Sequence, residues 1–277
     1  MSERTVTFDV EGSPAIDISS YNGDIVVREG TNPRVTVVLS GSDKAVEAVA
    51  IEASADHVAI VAKQLKGRLF TKGVDIVVTA PAEGSLKINT GAGSVRVRLP
   101  MSDVAIRAAS GEVRIDRPVG ELTLHVASGD SYISDVHGEA TIESASGDVR
   151  LRSAKYLQIK SASGDVRVQE VGRTARIKSA SGDVIVRRFA GSDLEVSTMS
   201  GDIRLGLVSG MEVKASIKTL SGTIRNKITP TPGDRVGTMS LEVSSFSGDV
   251  TLRNASDPLR SEPTPDPAGP SEGSPEH

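Results

Sequence analysis

From residue 89 onward apolar and polar positions alternate in short runs, and each run is broken at the same few residues. HVASGDSYI at 125–133, ESASGDVRL at 143–151, KSASGDVRV at 160–168 and KSASGDVIV at 178–186 are four copies of one phrase. STMSGDIRL (197–205), KTLSGTIRN (218–226) and SSFSGDVTL (244–252) carry it forward with drift, and RAASGEVRI (107–115) and NTGAGSVRV (89–97) carry it backward. The turn glycines are Gly93, Gly111, Gly129, Gly147, Gly164, Gly182, Gly201, Gly222 and Gly248, at steps of 18, 18, 18, 17, 18, 19, 21 and 26 residues. Leu157 and Ile159 precede one such turn and Val166 and Val168 follow it, with Lys160 and Arg167 interleaved. A period of two on both sides of a Gly-centred reversal reads as strand, tight turn, strand, looser turn. Glycine supplies positive φ, and the flanking Ser and Asp can bond nearby backbone amides.

A unit of this size cannot bury its own apolar face, and helical periodicity is absent, so the units are expected to stack. The predicted fold is therefore all-β, a parallel β-solenoid of about 18 residues per coil, with equivalent residues in ladders about 4.8 Å apart. An antiparallel sandwich or barrel is the alternative for regularly spaced strands. Near-identity of successive copies favours stacking. Weaker strands are predicted at 15–19, 25–28, 35–39, 49–53, 58–62, 74–79 and 86–89, and Asn22-Gly23-Asp24 is an early copy of the turn. Gly23 lies 70 residues before Gly93, close to four periods. Residues 1–253 then form the solenoid, with 5–90 as divergent coils and 91–253 as regular repeats. About fourteen coils would make a rod of roughly 65 Å. Residues 254–277 hold six of the 13 prolines, and are expected to form a disordered acidic tail. Two residues before the turn glycine, Ala145, Ala162 and Ala180 give way to Met199, Leu220 and Phe246. The larger side chains are expected to help cover the open edge of the last coil.

Only seven residues are aromatic (Phe 4, Tyr 3, Trp 0), and there is no cysteine, so neither disulfides nor thiolate metal sites contribute. The net charge of −4 arises in the tail, where five acids face Arg260 alone; the remainder is balanced at 31 basic and 31 acidic residues. Such a body lacks the electrostatic excess of a non-specific nucleic-acid binder. No apolar run is long enough for a membrane span, and MSERTVTFDVEGSPAI has no signal-peptide pattern, so a cytoplasmic location is expected.

The Ser-Gly-Asp-Val repeats, together with NGDIVV (22–27) and VDIVVTAP (74–81), resemble a large bacterial family of β-strand repeat proteins of unknown function, catalogued as putative adhesins. The resemblance spans roughly residues 5–253. It implies a right-handed parallel β-helix and brings no catalytic residues or cofactor with it.

Several features bear on candidate chemistry. The turn pairs Gly129-Asp130, Gly147-Asp148, Gly164-Asp165, Gly182-Asp183, Gly201-Asp202 and Gly248-Asp249 align carboxylates that could hold calcium, but the sequence lacks the GGxGxD rhythm of calcium-binding rolls. A structural turn role is expected. The row Arg96, Arg114, Arg150, Arg167, Arg204 and Arg225 could bind an anionic polymer, yet acids are interspersed and no aromatics intervene. KQLKGRLFTK (63–72) gathers Lys63, Lys66, Arg68 and Lys72 around Phe70, a possible partner-binding loop. NKITPTPGDRVGT (226–238) is a second, weaker one. His57, His125, His137 and His277 lack metal-ligand spacing, and TGAGSVR (90–96) fails the dinucleotide pattern at Arg96. The expected function is a non-enzymatic scaffold or protein-interaction module without cofactor. The alternatives are a binder of anionic or carbohydrate polymers and a self-assembling filament. The sequence leaves the oligomeric state open.

Overall fold

A computed structural model describes residues 2–30, 33–62, 73–229 and 237–255. Each copy of the repeat contributes two arms. One runs into the turn, as in Val119–Ser128; the other leaves it and continues into the next coil, as in Ser131–Ser146. Arms of successive coils pair in parallel and in register, so that Ile142 lies beside Ile159 and Ile159 beside Ile177. Inward residues meet their equivalents above and below, which is why Val113, Val149, Val166, Val184, Ile203 and Val250 are fully buried. Both arms close around one aliphatic core, giving an all-β, nearly closed solenoid-like body with almost no helix.

The turn requires glycine for two separate reasons. Gly164 has φ +110°, a region that side chains avoid, and a Cβ there would overlap the carbonyl oxygen of Gly147 in the coil below. The same vertical contact orders the whole stack: Gly23, Gly93, Gly111, Gly129, Gly147, Gly164, Gly182, Gly201, Gly248 and Gly222. Two positions in that order depart from what the repeat spacing predicts.

Gly23 lies directly beneath Gly93, so the 70 residues between them do not form four coils. Ala15–Asn22 pairs in parallel with Ser85–Ala92, and Ile25–Glu29 with Val95–Arg98. Below them lies one further layer, made of His57–Ala62 and Asp75–Ala80. The intervening strands leave the repeat altogether. Arg34–Gly41 runs antiparallel to Asp75–Ala80, Val49–Ala53 antiparallel to His57–Ala62, and Ser2–Asp9 antiparallel to Arg34–Gly41. A short helix, Asp43–Glu47, joins two of them and buries Ala45 and Val46, although no helix was expected. The ten glycine turns and this basal layer make eleven layers, or roughly 50 Å, in place of fourteen coils.

At the other end Gly248 precedes Gly222 in space although it follows it in sequence. Gly237–Ser247 pairs with Asp193–Ser200 on one side and Met211–Ser221 on the other, so the last coil of the chain is inserted beneath the one before it. Met211–Ser221 and Ile224–Lys227 form the terminal coil. Met199, Leu220 and Phe246 do not cover its edge. Their strand positions face outward, and they are 64%, 73% and 60% exposed.

Candidate interaction surfaces

On the outer edge of the turns the acidic and basic ladders interlock. Asp148 Oδ1 accepts the backbone N–H of Asp165 in the next coil at 2.9 Å, and Asp165 Oδ1 accepts that of Asp183 at 2.8 Å. The bond recurs from Asp75 through Asp24 to Ser94 at one end, and from Asp130 through Asp249 to Thr223 at the other. The expected capping within a turn is thus replaced by a bond between coils. Oδ2 takes the cations: that of Asp148 accepts from Arg150 at 2.7 Å and from Arg167 at 3.2 Å, and Arg204 bridges Asp183 and Asp202 in the same way. Tyr132 occupies one place in the arginine row, with the guanidinium carbons of Arg114 and Arg150 at 5.2 and 5.0 Å from its ring centroid. Neighbouring carboxylates repel by only about 1 kcal/mol in water, and the shared arginines offset it. Both oxygens of these carboxylates are engaged, and among the described residues no group of three or more His, Cys, Asp or Glu could hold a metal.

A second hydroxyl row went unread in the sequence. Three residues before five of the turn glycines, Ser20, Thr90, Ser161, Ser179 and Thr198 face inward and donate to the carbonyl two residues on, at 3.2 to 3.5 Å. The recurrence of Ser or Thr at that position, beside the more conspicuous Ser preceding Gly, was the available signal.

The outer face of the arms that enter the turns carries a trough of about 1040 Å³. Its floor is the row two before the turn glycine: Gly91, Ala109, Ala127, Ala145, Ala162 and Ala180. Small outward residues stacked about 4.8 Å apart leave a shallow apolar channel. One wall is the neighbouring outward row of Arg107, His125, Glu143 and Lys160. Glu143 binds Lys160 at 2.9 Å and His125 at 3.0 Å, and the Lys160 hydrogen bond and charge hold its carboxyl below the ordinary range. Tyr21, 53% exposed, stands at one end. A further recess of about 580 Å³ continues past Ala180 to Met199, Leu220 and Phe246.

Lys63, Lys66, Arg68, Phe70 and Lys72 lie outside the described residues, as do residues 230–236 of the second candidate loop. Their attachment is visible: Ala62 pairs with Ser20 and lines the trough beside Tyr21. Among the described residues no helix is long and apolar enough to cross a membrane.

Comparison with protein-family models matched residues 14–264 to Toastrack DUF4097. No curated protein matched. Among solved structures, a "putative adhesin" from Parabacteroides distasonis is similar at 15% identity and a TM-score of 0.46, over 90% of this chain and 97% of that one. One of the same description from Parabacteroides merdae gives 14% and 0.44, over 89% and 95%. A "putative lipid binding protein" from Parabacteroides distasonis gives 13% and 0.38, over 92% and 95%.

Proposed function

The chain belongs to the Toastrack DUF4097 family, and on that footing we propose that it is a non-enzymatic binding scaffold that holds a protein partner along the trough. The observation that carries this reading is the trough itself: a continuous floor of small residues with large apolar side chains standing in solvent at both ends. A concave apolar channel bordered by a few polar groups is a shape that binding sites present. An anionic or carbohydrate polymer fits less well. The arginine row is matched by aspartates along its length, and the chain has no tryptophan to platform a sugar. Catalysis is also disfavoured. The carboxyls of Glu143, Glu195 and Asp249 are all held toward the charged form, chiefly by Lys160, by Arg176, and by the Thr223 amide with Arg225 respectively. None is poised for proton transfer near neutrality.

The reading takes the winding as parallel and right-handed, the hand of parallel crossovers, with about 18 residues per coil. It places the protein in the cytoplasm, where a cysteine-free chain is indifferent to reducing conditions. The test is Ala145→Arg, which plugs the floor at an exposed position, beside Arg253→Ala outside the trough. Both variants should keep the parent melting temperature. Capture from a cell lysate should lose its partner with Ala145→Arg and keep it with Arg253→Ala; a partner indifferent to Ala145→Arg would overturn the reading.

A further inference from the structure

We propose that the turn edge at Ser94 and Glu112 is a carboxylate-binding site, in which an acid from another molecule takes the place that an aspartate fills in the regular coils. The site lies on the outer edge of the turns and does not rest on the trough, so either reading can fail alone.

The ladder of turn carboxylates is interrupted at one place. In stacking order its residues are Asp75, Asp24, Ser94, Glu112, Asp130, Asp148, Asp165, Asp183, Asp202, Asp249 and Thr223. Above Asp75, each main-chain N–H of this row donates to a carboxylate of the coil below, except those of Glu112 and Asp130. The reason is local. Ser94 carries no carboxylate, and the longer side chain of Glu112 lies toward Arg114, with Oε1 3.8 Å from Nη1. Among the described residues no main-chain carbonyl takes either N–H instead. Two neighbouring turn donors therefore lack the charge-assisted bond that their equivalents make.

The cations are displaced in step. In a regular coil the carboxylate of Asp148 binds the arginine of its own coil, Arg150, and that of the next, Arg167. The corresponding pair around Ser94 is Arg96 and Arg114, which lie side by side in the parallel register. Both lean along the strand to Asp116 instead, Arg114 Nε at 2.9 Å and Arg96 Nε at 3.9 Å, and Arg98 Nε joins them at 3.7 Å. Three guanidinium groups thus share the Asp116 carboxylate, and all three stay a third to a half exposed. Asp116 accepts neither of the two turn N–H groups.

These two displacements define the ligand. A carboxylate seated over Ser94 would accept the Glu112 N–H on one oxygen and Arg96 and Arg114 on the other, which is how Asp148 is held. Ser94 is short and exposed, so the seat opens to solution. Residues 63–72, which follow Ala62 in the basal layer, contain no acid that could fill it. A planar pair of oxygens matches the guanidinium forks, whereas a halide offers one centre to donors that need two.

The test is titration of the full-length chain with acetate, and separately with N-acetylaspartate methylamide, against chloride at constant ionic strength, followed through the amide and arginine Nε resonances by NMR. The Glu112 amide and the Arg96 and Arg114 Nε signals should shift saturably, while the Asp165 amide, whose carboxylate is built in, should not. Saturation by acetate would identify a seat for small free acids, and saturation by the blocked aspartate alone a seat for an acidic side chain. Arg114→Ala should weaken binding roughly tenfold. Ser94→Asp should abolish it, because the new side chain fills the seat, and should raise the melting temperature by completing the ladder. No saturable shift with either acid, equal shifts at Glu112 and Asp165, or undiminished binding by Ser94→Asp would each overturn the proposal.

Discussion

The two ends of the stack are finished in different ways. At the amino-terminal end the strands Arg34–Gly41 and Val49–Ala53 run antiparallel to the last parallel arms, and Val35, Val37, Leu39, Val58 and Ile60 are sealed. At the carboxy-terminal end the final coil is still recognisably the repeat, and Ile224 is 45% exposed where its counterpart Val250 is buried. One concession is Asn226, which stands where Leu252 stands one coil in. A repeat propagates because each coil offers the next a copy of its own edge, so closing the core requires sequence that is not the repeat.

The contrast is broken most forcefully by placing a charge at each end. Ile60→Asp should destabilise by about 4 kcal/mol in chemical denaturation and Ile224→Asp by less than about 1 kcal/mol, since only the first buries an unpaired carboxylate. Equal losses would show that the terminal coil is covered after all. Next comes the turn. Gly164→Val should cost about 3 kcal/mol through its φ and the Gly147 carbonyl, whereas Gly12→Ala, at positive φ but with open space around it, should cost about 1 kcal/mol. Asp148→Ala removes the acceptor for the Asp165 amide and two arginines and should cost about 1–2 kcal/mol, with a smaller loss for Asp249→Ala in the penultimate coil. The smallest effect is that of mild acid. Glu143, Glu195 and Asp249 bind protons less readily folded than unfolded, so their contribution is complete above the ordinary carboxylate range and fades as pH drops through their lowered values. Melting temperature should therefore decline below about pH 4 and hold steady from there to neutrality. A rise on acidification would contradict the ion pairs.

The strands of the regular region were legible because period two is imposed locally by burial on one face. Even the weak strands before residue 90 fall where alternation put them, as at Ala15–Asn22 and His57–Ala62. What alternation cannot convey is direction or neighbour. Val35-Thr36-Val37-Val38-Leu39 reads the same parallel or antiparallel, and so alternation alone does not distinguish the basal strands from coils. The placement of Gly248 beneath Gly222 was hidden for the same reason, since both turns are copies of one phrase. The trough was half visible. Its alanine row was read only for its drift to Met199, Leu220 and Phe246, and those were assigned to the edge because side-chain size suggested a cover. Their outward facing follows from parity with Ala162.

The insertion of Gly237–Ser247 between Asp193–Ser200 and Met211–Ser221 bears on how the chain is made. Coils laid down in synthesis order each find a waiting template, up to Leu207. The next strand to emerge belongs to a layer whose support has not yet been synthesised, and the register it finally adopts exists only once residues 237–254 are available. Assembly of the turns from Gly93 to Gly201 is therefore local and fast, while the last step waits on a loop closure that the preceding ones do not require. During that interval Met211–Ser221 is left without its native neighbour, Gly237–Ser247.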